Sequence, residues 1–133
     1  MGAAAPPGVR KPLRSILVVD DEPDILELME LFIRDSFPST MLYTAKDAPQ
    51  AFAVMEAHAI DAIVSDYKLP GMDGIQLLAE AGRRTPGIRR ALVTAFSDSS
   101  LEDRARREAG VDHFLAKTFR PEDFLVALAA MLD

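Results

Sequence analysis

Five short apolar runs, separated by segments with helical spacing, constrain this 133-residue chain more than any other feature. They lie at residues 16–19, 41–43, 62–64, 91–93 and 114–116, and they are continuous rather than alternating, as in strands buried on both faces. Between them, Ile25, Leu28, Met29, Phe32 and Ile33, then Phe52 and Met55, and finally Phe124, Leu128 and Leu132 recur at helical intervals. Asp47 with Gln50, Asp73 with Gln76, and Ser99 with Glu102 fit capping-box starts, and Gly110 suits the end of the fourth helix. Strands joined by helices pair in parallel through right-handed crossovers, so helices must cover both faces of the sheet. The expected fold is α/β, a doubly wound three-layer sandwich on a five-stranded parallel sheet.

Composition narrows what such a fold can do. A hydrophobic content of 49% over this length suffices for one core and one domain. The net charge of −6 disfavours direct contact with nucleic acid or an anionic membrane. Cysteine is absent, which excludes disulfides, thiolate metal sites and cysteine nucleophiles, and makes the reducing cytoplasm the simplest compartment. Residues 1–14 carry Pro6, Pro7, Gly8, Arg10, Lys11 and Arg14 but no apolar stretch of the signal-peptide kind, so residues 1–12 read as a flexible tail before a domain at 13–133. No apolar run approaches the roughly 20 residues needed to span a bilayer.

Parallel strands direct their C-terminal ends to one edge of the sheet, where open α/β sheets bind ligands. Asp20 and Asp21 follow the first run, Asp66 the third, Thr94 closes the fourth and Lys117 the fifth, whereas the second ends in Thr44 and Ala45. In the order 2-1-3-4-5, the four runs that carry reactive residues are contiguous and the poor one lies at the edge. One convergent site is expected. Two carboxylates about 4 Å apart at an effective dielectric of about 20 repel by about 4 kcal/mol, so three of them require a cation. Mg²⁺, with Mn²⁺ as the alternative, suits one or two carboxylates plus a phosphate oxygen. With that ion and the Lys117 ammonium aimed at phosphoryl oxygens, Asp66 is placed to attack phosphorus in line, while Asp20 and Asp21 hold metal from one side.

The motifs Val18-Val19-Asp20-Asp21-Glu22, Asp66-Tyr67-Lys68-Leu69-Pro70-Gly71-Met72-Asp73-Gly74, Thr94-Ala95 and Lys117 resemble those of bacterial two-component response-regulator receiver domains, over nearly the whole chain. The resemblance implies the flavodoxin-like, receiver-type fold and a signalling switch rather than an enzyme, one that catalyses its own phosphorylation and dephosphorylation. It implies that Asp66 is the phosphoacceptor, Asp21 a direct Mg²⁺ ligand and Asp20 a ligand through water, with the Lys68 backbone carbonyl completing the set. Thr94 would bond a phosphoryl oxygen, Lys117 would pair with another, and Phe114 would be the switch aromatic. The implied partners are a sensor histidine kinase or phosphotransfer protein and a downstream output domain or protein.

Three departures from the family pattern stand out. Thr118 replaces the usual proline after the lysine, and because a cis bond before a non-proline residue costs about 2.5–4 kcal/mol, a trans Lys117–Thr118 bond is expected. Phe114 has no hydroxyl, so its movement must be driven by packing. Lys68 sets a long cation beside the phosphoryl site. Drawing Thr94 inward would empty space for Phe114, and the fourth helix, Ser99–Ala109, offers the core mainly Leu101, Ala105 and Ala109 and is the expected moving part.

Two rival functions share the topology. A Mg²⁺-dependent phosphohydrolase wants Asp-x-Asp after its first strand, and this chain has Asp20-Asp21-Glu22. A flavin-binding domain needs a Ser/Thr/Gly-rich phosphate loop there, which these acids would repel. Taken alone, residues 20–24 also read as an acidic helix start with Pro23 in the first turn. His58 and His113 read as surface or packing residues, Met29, Met55 and Met72 as core or loop packing, and Arg83, Arg84, Arg89 and Arg90 as a solvated rim.

Overall fold

The computed structural model describes residues 14–95, 98–117 and 120–132. Five strands alternate with five helices: β1 Ser15–Val19, α1 Pro23–Ser36, β2 Met41–Ala45, α2 Ala48–Ala57, β3 Ala62–Asp66, α3 Gly74–Arg84, β4 Arg89–Thr94, α4 Ser99–Ala109, β5 His113–Ala116 and α5 Pro121–Leu132. All strand pairs are parallel and the sheet order is β2-β1-β3-β4-β5, as expected. The tail at residues 1–12 and the Lys117–Thr118 bond lie outside the described residues.

Strand alternation divides the interior into two cores. Leu17, Val19, Ile63 and Leu92 point to one face, under Ala48 and Ala51 of α2, Ile75, Leu77 and Leu78 of α3, and Leu101 and Ala105 of α4. Ile16, Val18, Val64 and Val93 point to the other, under Leu26, Met29 and Ile33 of α1 and Phe124, Leu128 and Met131 of α5. Burial on both faces holds for β1 and β3, whose described side chains from Ile16 and Ala62 onward are all buried. It fails at the edges: β2 is largely half-buried, Met41 is exposed, and all of β5 is half-buried. An edge strand has a neighbour on one side only, so its outer margin stays open whatever its sequence.

The helix signals hold with three corrections. Asp73 and Gln76 form a reciprocal capping box, and Gly110 ends α4 in the left-handed region with φ 60°. Asp47 caps α2 through the Gln50 amide, but the Gln50 side chain accepts from the Lys46 amide rather than from Asp47. The cap of α4 is Asp98, which accepts from the Leu101 amide, and Ser99 is already inside the helix. In α1 the buried stripe is Leu26, Met29 and Ile33, while Leu28 is exposed.

The rim of arginines is not uniformly solvated. Arg83 and Arg84 pair with Glu80, but Arg90 runs inward and donates from Nη1 to the Ala109 carbonyl at 2.9 Å, with its buried Nε lacking a partner among the described residues. A Cβ on Gly82 would lie 2.0 Å from Arg90 Nη1, so the guanidinium occupies the space that a side chain on α3 would need. One cation thereby joins α3, β4 and the end of α4.

Candidate functional site

Sheet register brings the polar residues together in steps. Val19 stands opposite Ser65, so Asp20 and Asp66, each one residue later, lie side by side at the tips of β1 and β3. Asp66 in turn stands opposite Val93, which sets Thr94 one step beyond it, and Thr94 stands opposite Ala116, which sets Lys117 one step further. The tips are tied down by backbone bonds: the Asp20 amide donates to the Ala45 carbonyl at 3.1 Å, the Tyr67 amide to Val93 at 2.9 Å, and the Lys117 amide to Thr94 at 2.6 Å. Gly74 lets α3 start against the end of β3, because a Cβ there would lie 2.2 Å from the Asp66 carbonyl oxygen.

The result is a cleft of about 420 Å³ lined by Asp21, Glu22, Asp66, Lys68, Thr94, Ala95 and Lys117. Asp20 is buried beside these residues and is not itself part of the lining. Carboxylate oxygens of Asp20, Asp21 and Asp66 lie within 4.8 Å of one another, the single such acidic group among the described residues. Asp20 and Thr94 are fully buried, Asp66 is 4% exposed, and Asp21 is exposed. Lys117 Nζ lies 3.0 Å from Asp66 Oδ2 and 3.5 Å from Asp20 Oδ2, and it also contacts Glu22 Oε1.

Electrostatics follow from this crowding. Burial pushes the Asp20 carboxyl up to about 6, against the pull of the Glu22 amide, and the neighbouring Asp66 charge adds to the rise. Burial also raises Asp66, offset in part by its bond to Lys117. Burial alone would lower Lys117, but Glu22 and Asp66 outweigh it and hold the ammonium above the ordinary lysine range. Asp20 Oδ2 is buried with no hydrogen-bond partner among the described residues. A buried carboxylate oxygen that accepts no hydrogen bond, beside two other carboxylates, is the donor set a hard divalent cation takes, so the residues fit Mg²⁺.

Asp21, Asp66, Lys68, Thr94 and Lys117 therefore line one cleft, and Asp20 joins them from its buried position through its closeness to Asp21, Asp66 and Lys117. Phe114 is half-buried against the same core as Leu92, on the sheet face to which alternation also assigns Thr94. The acidic helix start takes an unexpected form: Pro23 opens α1 and Glu22 is the cap residue, yet the Glu22 side chain makes no cap bond. Glu22 was visible in the sequence as the third acid in a row, but its partner lies 95 residues away. His58 stacks on Tyr43 at 4.3 Å between ring centroids, away from the cleft. No helix among the described residues is long and apolar enough to cross a membrane.

Residues 16–129 match the sequence profile of the response regulator receiver domain. The chain is 34% identical over 119 residues to the probable transcriptional regulatory protein TcrX of Mycobacterium tuberculosis, covering 89% of this chain and 49% of that protein. It is 32% identical over 122 residues to the cyclic di-GMP phosphodiesterase response regulator RpfG of Xanthomonas campestris, covering 90% and 32%. It thus spans about half or less of these relatives' length. Among solved structures, the signal receiver domain of an HD domain-containing protein from Pseudomonas fluorescens superposes with TM-score 0.85 at 30% identity, over 91% of this chain and 95% of that one. A CheY-like receiver domain protein from Methanospirillum hungatei gives TM-score 0.82 at 29% identity, over 92% and 95%. With the profile match running from the first strand into the last helix, the chain belongs to the response-regulator receiver-domain family.

Proposed function

We propose that Asp66 accepts a phosphoryl group from the phosphohistidine of a partner kinase or phosphotransfer protein, in a reaction that depends on Mg²⁺. The observation that carries this is the cluster itself: three carboxylates within 4.8 Å, one with a buried oxygen that accepts no hydrogen bond from the described residues, and an ammonium 3.0 Å from the Asp66 carboxylate. Asp20, Asp21 and Asp66, with the Lys68 carbonyl, would hold the ion. Bound there, the ion would neutralise charge on the phosphoryl oxygens.

An Asp66 carboxylate oxygen forms the new bond to phosphorus as the bond from phosphorus to the histidine nitrogen breaks. The electron pair of that broken bond stays on the imidazole. Lys117 holds Asp66 in place beforehand and pairs with a phosphoryl oxygen afterwards. Thr94, buried at the next strand tip, bonds another oxygen. Its movement frees space for Phe114, on the same sheet face, and so alters the surface of α4, β5 and α5 read by an output domain or protein. The names of the relatives, which include transcriptional regulators, support such an output.

The test is to incubate the chain with Mg²⁺ and a small acyl phosphate and to weigh it. One added phosphoryl group is expected, absent in Asp66→Asn and absent when the cation is chelated. Release of many phosphates per chain would replace this reading with the phosphohydrolase one.

A further inference from the structure

Lys117 is the shared partner of three carboxylates, and they are not equivalent. Asp20 and Asp66 belong to the acidic group suited to a divalent cation, whereas Glu22 stands outside it. Glu22 is also the most accessible of the three, with a side chain 57% exposed against 0% for Asp20 and 5% for Asp66. It is the cap residue of α1, where a carboxylate would ordinarily turn back to accept from free helix amides. It does not: the side chain makes no cap bond and instead meets the Lys117 ammonium, which extends from the end of β5 over the Asp66 and Asp20 carboxylates. Its backbone is fixed for this reach, because the Glu22 amide donates to Asp20 Oδ1 at 2.9 Å.

We infer that Glu22 is a positioning residue, which holds the Lys117 ammonium at the mouth of the cleft until phosphoryl oxygens take its place and so sets how readily the lysine is available to them. The inference rests on the reading of Asp66 as phosphoacceptor. Once a divalent cation engages the aspartates, Glu22 is the carboxylate left to the lysine. An incoming phosphoryl group then has one half-solvated competitor to displace rather than a lysine locked onto Asp66. A ligand that must displace an internal competitor binds more weakly by the fraction of molecules in which the competitor is seated.

Beryllofluoride binding to the whole chain at saturating Mg²⁺, followed by calorimetry, tests this with Glu22→Gln and Glu22→Asp. Aspartate keeps the charge but is one methylene shorter, so it loses the reach to Lys117. Both variants should bind the phosphoryl mimic more tightly, by about two- to five-fold, the range of a partly exposed ion pair. In the Mg²⁺ form without mimic, the ¹⁵N resonance of the Lys117 ammonium should move similarly in both. Tightening in Glu22→Gln with Glu22→Asp like the parent would mean simple repulsion of an anion and would overturn the inference, as would unchanged or weaker binding in both. Failure of the parent chain to take up either a phosphoryl group or the mimic would instead sink the phosphoacceptor reading, and the inference with it.

Discussion

At the scale of single residues, the decisive quantity is the buried charge of Asp20, which Lys117 meets only at 3.5 Å. Its carboxyl is raised to about 6 by burial, so below that pH the proton competes with any cation for the same oxygens. Mg²⁺ affinity should therefore rise as pH increases from 5 to about 6 and then level off. On the acid side the change should approach tenfold per pH unit for one displaced proton. Calorimetric titrations at pH 5, 6, 7 and 8 check this, and a flat profile from 5 to 7 would mean that Asp20 is not in the binding set. Asp20, Asp66, Thr94 and Lys117 were legible in the sequence because each ends an apolar run, and parallel strands leave no choice about where their ends go. Glu22 and Arg90 were not. Their roles depend on which way a long side chain turns, and their partners, Lys117 and the Ala109 carbonyl, are set by tertiary placement alone.

At the scale of elements, α4 is held in two different ways. Its apolar contribution is small, with Leu101, Ala105 and Ala109 as its buried residues, as its sequence implied. Its C-terminal end is pinned by polar contacts that the sequence did not disclose: Arg90 Nη1 bonds the Ala109 carbonyl, and Arg106 Nη1 reaches the Val111 carbonyl at 3.3 Å. The Arg90 contact depends on the missing side chain of Gly82. Replacing a helical glycine by alanine ordinarily stabilises by about 0.5–1 kcal/mol. Here Gly82→Ala must push the guanidinium aside and lose a charged hydrogen bond worth about 1.5–3 kcal/mol, so a net loss of about 1 kcal/mol is expected. In an Arg90→Ala background the same substitution should stabilise. Urea titrations of the four proteins measure that reversal, and a stabilising Gly82→Ala in the parent chain would show that Arg90 does not need the slot. The edge strands were misread for a related reason. An apolar run records that a strand is buried somewhere, not how many neighbours cover it.

At the scale of the whole molecule, the cleft sets a stability that the two cores must carry. A carboxyl raised from 3.8 to about 6 favours the fold fully below 3.8, and that contribution is lost as pH rises through about 6. At pH 7 the ionised Asp20 therefore opposes folding. The unfolded chain scatters the tips of β1, β3, β4 and β5 and offers a cation no cluster, so binding stabilises the folded state alone. At a hundred times Kd that gain is about 2.7 kcal/mol, or roughly ten degrees in Tm for a domain of this size. Asp20→Asn removes the charge without changing the shape. It should melt higher than the parent chain at pH 7 without metal, and show a much smaller rise when Mg²⁺ is added. At pH 5, where Asp20 holds a proton, the metal-free proteins should converge. Scanning calorimetry at both pH values, with Mg²⁺ and with chelator, separates these effects. An Asp20→Asn protein that melts below the parent at pH 7 without metal would mean that Lys117 already satisfies the buried carboxylate. The acidic cluster would then be a structural ion pair in its own right rather than a site built to wait for a cation.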